Sequence, residues 1–103
     1  MRQFDVVANP AEESRGFAPY LVVLQSHYLI GLDTTVVAPL IVRESLPPDF
    51  TFALAVDFEG RPLTLALQQL SSIPVRRLGR ILGTLAAHDM EIARGWKRLF
   101  SGF

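Results

Sequence analysis

The stretch from Thr51 to Leu67 leaves the least freedom in what this chain can become. Phe52, Leu54, Val56 and Phe58 alternate with Thr51, Ala53, Ala55 and Asp57, and after Glu59-Gly60 the side chains Leu63, Leu65 and Leu67 alternate with Thr64 and Ala66. Side chains two apart on a strand share a face. The pattern therefore predicts a hairpin turning at Glu59-Gly60, one face in the core and the other small or wet.

Other segments extend the sheet. Gln3 to Val7 reads as a short first strand, followed by a loop marked by Asn9-Pro10 and by Glu12 to Gly16. Tyr20 to Gln25 is β-branched, aromatic and almost continuously apolar, the pattern of a strand buried on both faces. Val36 to Val42 reads as a third strand. Pro39 has no N–H to give a ladder, which predicts an edge or a bulge and a kink there. The intervening Ser26 to Asp33 is too apolar for a plain loop and reads as connection plus contact surface. Leu46-Pro47-Pro48-Asp49 reads as a turn, and Ser71 to Val75 as a break before the basic stretch Arg76 to Arg80, which leads through Gly79 and Gly83 into a terminal helix.

That helix is expected over Thr84 to Phe103. At 100° per residue Leu85, Ile92, Trp96, Leu99 and Phe100 fall on one side and Glu91, Arg94, Lys97 and Arg98 on the other, an amphipathic surface helix. Thr84 suits an N-cap, Lys97 and Arg98 suit the negative end of the helix dipole, and Gly102 suits the stop. Phe103 has two readings: it folds back over the helix end, or Ser101-Gly102-Phe103 is presented to a partner. Trp96 likewise reads as core or as contact. Asp89, at the edge of the stripe, is placed to pair with Arg76, Arg77 or Arg80 or to meet a partner.

Strands first and a helix last is an α+β order. About five short strands with tight turns predict a small, mostly antiparallel sheet or partial barrel covered in part by a C-terminal α-helix, with residues 1–103 forming a single domain. At 103 residues, half of them hydrophobic, the chain has ample material for one core. The absence of cysteine excludes disulfides and Cys-based metal sites and fits a reducing compartment. No apolar h-region follows Met1-Arg2-Gln3-Phe4-Asp5, and no run is long enough to span a membrane, so a cytoplasmic location is expected. The formal net charge of zero argues against a general nucleic-acid binder. The charge is unevenly spread, because from Pro74 onward Arg76, Arg77, Arg80, Arg94, Lys97 and Arg98 outnumber Asp89 and Glu91. A basic C-terminal segment on an acidic body can steer an acidic partner or be a solvated face.

No catalytic set emerges. His27 and His88 are the only histidines, far apart and without ligand spacing; phosphate-loop and dinucleotide signatures are absent, as is a nucleophile elbow. No catalytic residue, metal ligand or cofactor is expected, and Glu12-Glu13 reads as a solvated loop pair.

The runs Leu24-Gln25-Ser26, Ala38-Pro39-Leu40, Ser72-Ile73-Pro74-Val75 and Leu99-Phe100-Ser101-Gly102-Phe103, in this order and spacing over essentially the whole chain, resemble the CcdB family of toxins. The resemblance implies an SH3-like barrel with a C-terminal helix, in a homodimer, and the toxin role in a type II toxin–antitoxin system. It implies no enzyme: a topoisomerase poison that traps DNA gyrase on cleaved DNA by binding GyrA, with Ser101, Gly102 and Phe103 as the gyrase-binding tail. It also implies a CcdA-like acidic antitoxin held at Arg94, Lys97 and Arg98, and a toxin–antitoxin repressor complex. The tail departs from the Trp-Gly-Ile of well-known members and keeps only the glycine, with an aromatic at the last position. Two alternatives stand beside this reading. One is an endoribonuclease toxin of the MazF and Kid type, opposed by the neutral charge and by the lack of that family's Gly-Asp-containing N-terminal strand and loop. The other is a CcdB-fold protein without toxicity that acts only as an antitoxin-binding partner.

Overall fold

The hairpin forms where alternation predicts it. In the computed structural model, which describes residues 1–26, 33–43 and 53–101, its strands are β4 (Ala53–Phe58) and β5 (Arg61–Ala66), closed by a pair between Phe58 and Arg61. Glu59 (φ 51°) and Gly60 (φ 76°) both lie at positive φ, as a two-residue type I′ turn requires. Val56, Phe58, Leu63 and Leu65 are buried in the main core. Thr64 and Ala66 on the opposite face are buried too, so that face of β5 is small but not wet.

Five further strands complete the sheet: β1 (Asp5–Ala8), β2 (Tyr20–Val23), β3 (Thr34–Val42), β6 (Ser71–Pro74) and β7 (Ile81–Thr84). All pairings are antiparallel, in the order β4-β5-β3-β2-β1-β7 with β6 also on β3, and the sheet curls into a half-barrel. One helix, α1 (Asp89–Ser101), follows the last strand. This is the expected α+β architecture, with two strands more than expected. The break at Ser71 to Val75 is largely β6, whose polar residues and Pro74 hide a strand that completes the Thr34–Val37 half of β3. The approach to the helix contains β7, whose Gly83 weakens the strand pattern. An added Cβ at Gly83 would lie 2.7 Å from the Phe58 ring, so glycine is what lets that ring pack there. Phe58 in turn meets Tyr20 edge-on at 5.0 Å.

Pro39 sits on an interior strand rather than an edge. The Leu24 N–H donates to the Val36 carbonyl, which points even-numbered residues of β3 at the β2 side and turns Pro39 the other way. On that other side β6 pairs only up to Val37 and β5 only from Leu40. Pro39 occupies the seam between two partners, where no donor is required.

Leu21 to Leu24 are all buried, as a two-sided strand demands. Val6, Val22, Ala38 and Leu40 face the main core with Leu85 and Ile92, and the alternating Val7, Leu21, Val23 and Val37 face the other way, covered by Ile73 and Leu78. The helix begins at Asp89, five residues after Thr84. Thr84 ends β7, and its hydroxyl accepts the Ala86 N–H at 3.1 Å ahead of a 3₁₀ turn, Ala86–His88. The apolar period misplaces the start because Leu85 enters the core just before the helix. The expected contact surface at 27–32, with His27, the turn at Leu46-Pro47-Pro48-Asp49, Thr51-Phe52 and the tail residues Gly102 and Phe103 lie outside the described residues.

Candidate partner-binding surface

α1 divides its apolar residues between two surroundings. Ile92 is buried and Leu99 packs against the core. Gly95 lies between them on the inner side, where an added Cβ would come 2.5 Å from Leu67 Cδ1. A glycine in a helix interior costs about 1 kcal/mol relative to alanine, and here it lets the helix approach a fully buried leucine. Trp96 and Phe100, one turn apart, are 38% and 63% exposed, and their rings meet at 4.8 Å with a tilt of 45°. Met90 is also exposed. The stripe expected as one face is therefore split, and Trp96 lies at the surface rather than in the core.

Arg94, Lys97 and Arg98 are exposed on the remaining surface of α1, and none has a carboxylate at ion-pairing distance among the described residues. Asp89 and Glu91 lie in the first turn, where they favour the helix dipole. Asp89 is exposed and pairs with none of Arg76, Arg77 and Arg80. His88 Nδ1 lies 3.3 Å from Glu91 Oε1, a surface contact one turn apart. Ser101 ends α1, which directs the chain toward Gly102 and Phe103.

Beside the helix a cleft of about 610 Å³ opens where β1 begins and β2 ends. Phe4, Leu24, Val36 and Ile92 give it apolar walls, and Trp96 stands at its side. Its two amides are tied down: Gln3 Nε2 donates to the Leu24 carbonyl at 3.0 Å, and Gln25 Oε1 accepts the Val36 N–H at 3.2 Å. Phe4 is held at φ 73° in a tight turn, in which the Asp5 N–H donates to the Arg2 carbonyl at 3.1 Å and Asp5 Oδ2 accepts the Arg2 N–H at 2.7 Å. A bulky residue at positive φ is strained by roughly 1–3 kcal/mol. Such strain is retained when its surroundings over-determine it, here the hydrogen bonds from Phe4 N–H to the Val23 carbonyl and from Leu85 N–H to the Phe4 carbonyl.

Sequence patterning brings out the basic residues of α1 but not the cleft. Phe4 reads as an ordinary strand residue until its backbone is seen, Gln25 as the end of a buried strand and Ser26 as the start of a connecting contact surface. Gly95, a lone glycine within an amphipathic period, is the one overlooked signal of close helix approach. Among the described residues no group of three His, Asp or Glu side chains is placed to hold a metal, and no helix is long and apolar enough to cross a membrane.

A family model described as "CcdB protein" matches residues 3–102. No curated protein matches the chain. Among solved structures the fold is similar to the Mycobacterium tuberculosis toxin MazF-mt6, with a TM-score of 0.70 at 20% identity over 96% of each chain, a likeness of fold alone.

Proposed function

The chain belongs to the CcdB family, toxins of toxin–antitoxin systems, and we propose from that premise that it poisons DNA gyrase. In this reading Ser101, Gly102 and Phe103 engage GyrA and hold gyrase on cleaved DNA, and the chain performs no chemistry itself. A homodimer presents two such tails in the cytoplasm. A CcdA-like acidic antitoxin neutralises it by covering Arg94, Lys97 and Arg98.

The observation that carries the reading is the outer surface of α1. Trp96 and Phe100 are in ring contact and exposed on one flank of α1, and Arg94, Lys97 and Arg98, which have no ion-pair partner among the described residues, are exposed on its other side, on the helix that leads into the tail. Aromatic and cationic groups together suit a partner that supplies apolar area and carboxylates. An acidic segment that orders on binding gains from that complementarity. Ser101 in place of the family tryptophan removes a stacking group, and Phe103 offers an aromatic ring in compensation.

Deleting Gly102 and Phe103 is expected to abolish toxicity in cells while the thermal melt and the dimer stay unchanged; toxicity that survives the deletion would overturn the gyrase reading. The likeness to MazF-mt6 in fold favours a second reading, an endoribonuclease toxin. Incubating the purified chain with RNA separates the two, since a gyrase poison leaves the RNA intact.

A further inference from the structure

The cleft beside α1 is built at an opened step of the β2–β3 ladder. Two antiparallel residues that face each other as a hydrogen-bonded pair exchange two backbone bonds. Leu24, one residue past the end of β2, faces Val36 and makes the first of them: its N–H donates to the Val36 carbonyl at 2.9 Å. The groups of the second bond are taken by side chains. Val36 N–H donates to Gln25 Oε1 at 3.2 Å, and the Leu24 carbonyl accepts Gln3 Nε2 at 3.0 Å. Two amides thus converge on one ladder position in the cleft wall.

The backbone partners fix how both amides point, because a carbonyl takes only a donor and an N–H only an acceptor. Gln25 keeps its Nε2 hydrogens and Gln3 its Oε1, and neither has a further partner among the described residues. Each side chain is already held at one end. Less side-chain freedom is therefore lost when a ligand takes the other end.

The remaining walls suit a flat, neutral molecule. The volume of about 610 Å³ is that of a small-molecule site, with Phe4, Leu24, Val36 and Ile92 around it and Trp96 at its side. None of the described lining residues carries a charge. Phe4 is also the residue held at φ 73°, and backbone strain of this kind gathers at ligand sites.

We propose that the cleft binds a neutral, planar aromatic molecule with a lactam or carboxamide edge. The ligand carbonyl accepts from Gln25 Nε2, its N–H donates to Gln3 Oε1, and its rings lie among Phe4, Ile92 and Trp96. A carboxylate or phosphate ester fits less well, since no described lining residue is a cation to meet its charge. The site stands whether or not the tail engages gyrase.

The test titrates the full-length protein with phenanthridinone, a neutral tricyclic lactam, and follows the single tryptophan, Trp96, by fluorescence and the side-chain amides by NMR. Saturable quenching of Trp96 is expected, with shifts of the Gln3 and Gln25 amide signals. N-methylphenanthridinone keeps the rings and the carbonyl but loses the N–H, and should bind about fivefold more weakly, the scale of one hydrogen bond. Gln25→Glu still accepts the Val36 N–H but offers the ligand no donor, and should weaken the lactam by a similar factor with the melting curve unchanged. Ala93→Phe, on the exposed side of the cleft, should abolish binding by filling it, again with an unchanged melt. No quenching, equal affinity for the two compounds, or binding that survives Ala93→Phe would each overturn the proposal. So would self-association of the free chain that Ala93→Phe abolishes while the lactam fails to bind, since the occupant would then be a second copy.

Discussion

The inner and outer surfaces of α1 are made from similar residue types and put to opposite uses. Inward, Ile92 and Leu99 join the core and Gly95 lets the helix close on Leu67. Outward, Trp96, Phe100 and Met90 keep part of their area in water, as do the cations Arg94, Lys97 and Arg98. Leaving aromatic area exposed forgoes about 25 cal/mol for every Å² that could have been buried. A helix needed only as a cover would gain by turning Trp96 inward. The difference teaches that apolar residues along one helix can be buried in the core on one side and left in water on the other, and that only the packing distinguishes them.

Substitutions on the two surfaces should separate these roles. The largest loss of stability is expected from Ile92→Ala, about 2–5 kcal/mol by denaturant unfolding, because a filled core site becomes a cavity. Gly95→Val should follow at about 1–3 kcal/mol, since its side chain would press on Leu67 where a Cβ alone already approaches to 2.5 Å. Phe100→Ser should change stability by no more than about 0.5 kcal/mol, yet weaken toxicity in cells if the outer surface binds partners. The smallest effect on the fold is expected when Arg94, Lys97 and Arg98 are replaced together by alanine: the melt should not move, while binding of an acidic antitoxin should weaken and lose much of its salt dependence. Were Phe100→Ser as destabilising as Ile92→Ala, the two surfaces would be one core and the comparison would fail.

Much of this division was legible from residue order. The helical period places Arg94, Lys97 and Arg98 away from Ile92, and the alternation from Leu54 to Leu67 marks the hairpin and its turn. What escaped depends on tertiary pairing. Ser71 to Pro74 has weak strand propensity and is a strand only because β3 leaves an edge to fill. Ile81 to Thr84 contains a glycine that a ring elsewhere in the chain requires. The helix start was displaced from Asp89 to Thr84 because Leu85 keeps the apolar period running through a 3₁₀ turn. The cleft was invisible for a similar reason: its walls come from the start of β1, the end of β2, β3 and α1, and the positive φ of Phe4 is a property of the assembled turn.

The most direct test of the central claim, that α1 carries a partner surface leading into a gyrase-binding tail, is a cleavage-complex assay with purified DNA gyrase and supercoiled plasmid. The full chain should accumulate linear, protein-linked DNA, and the chain lacking Gly102 and Phe103 should not. Equal accumulation by both chains, or none with the full chain, would contradict it.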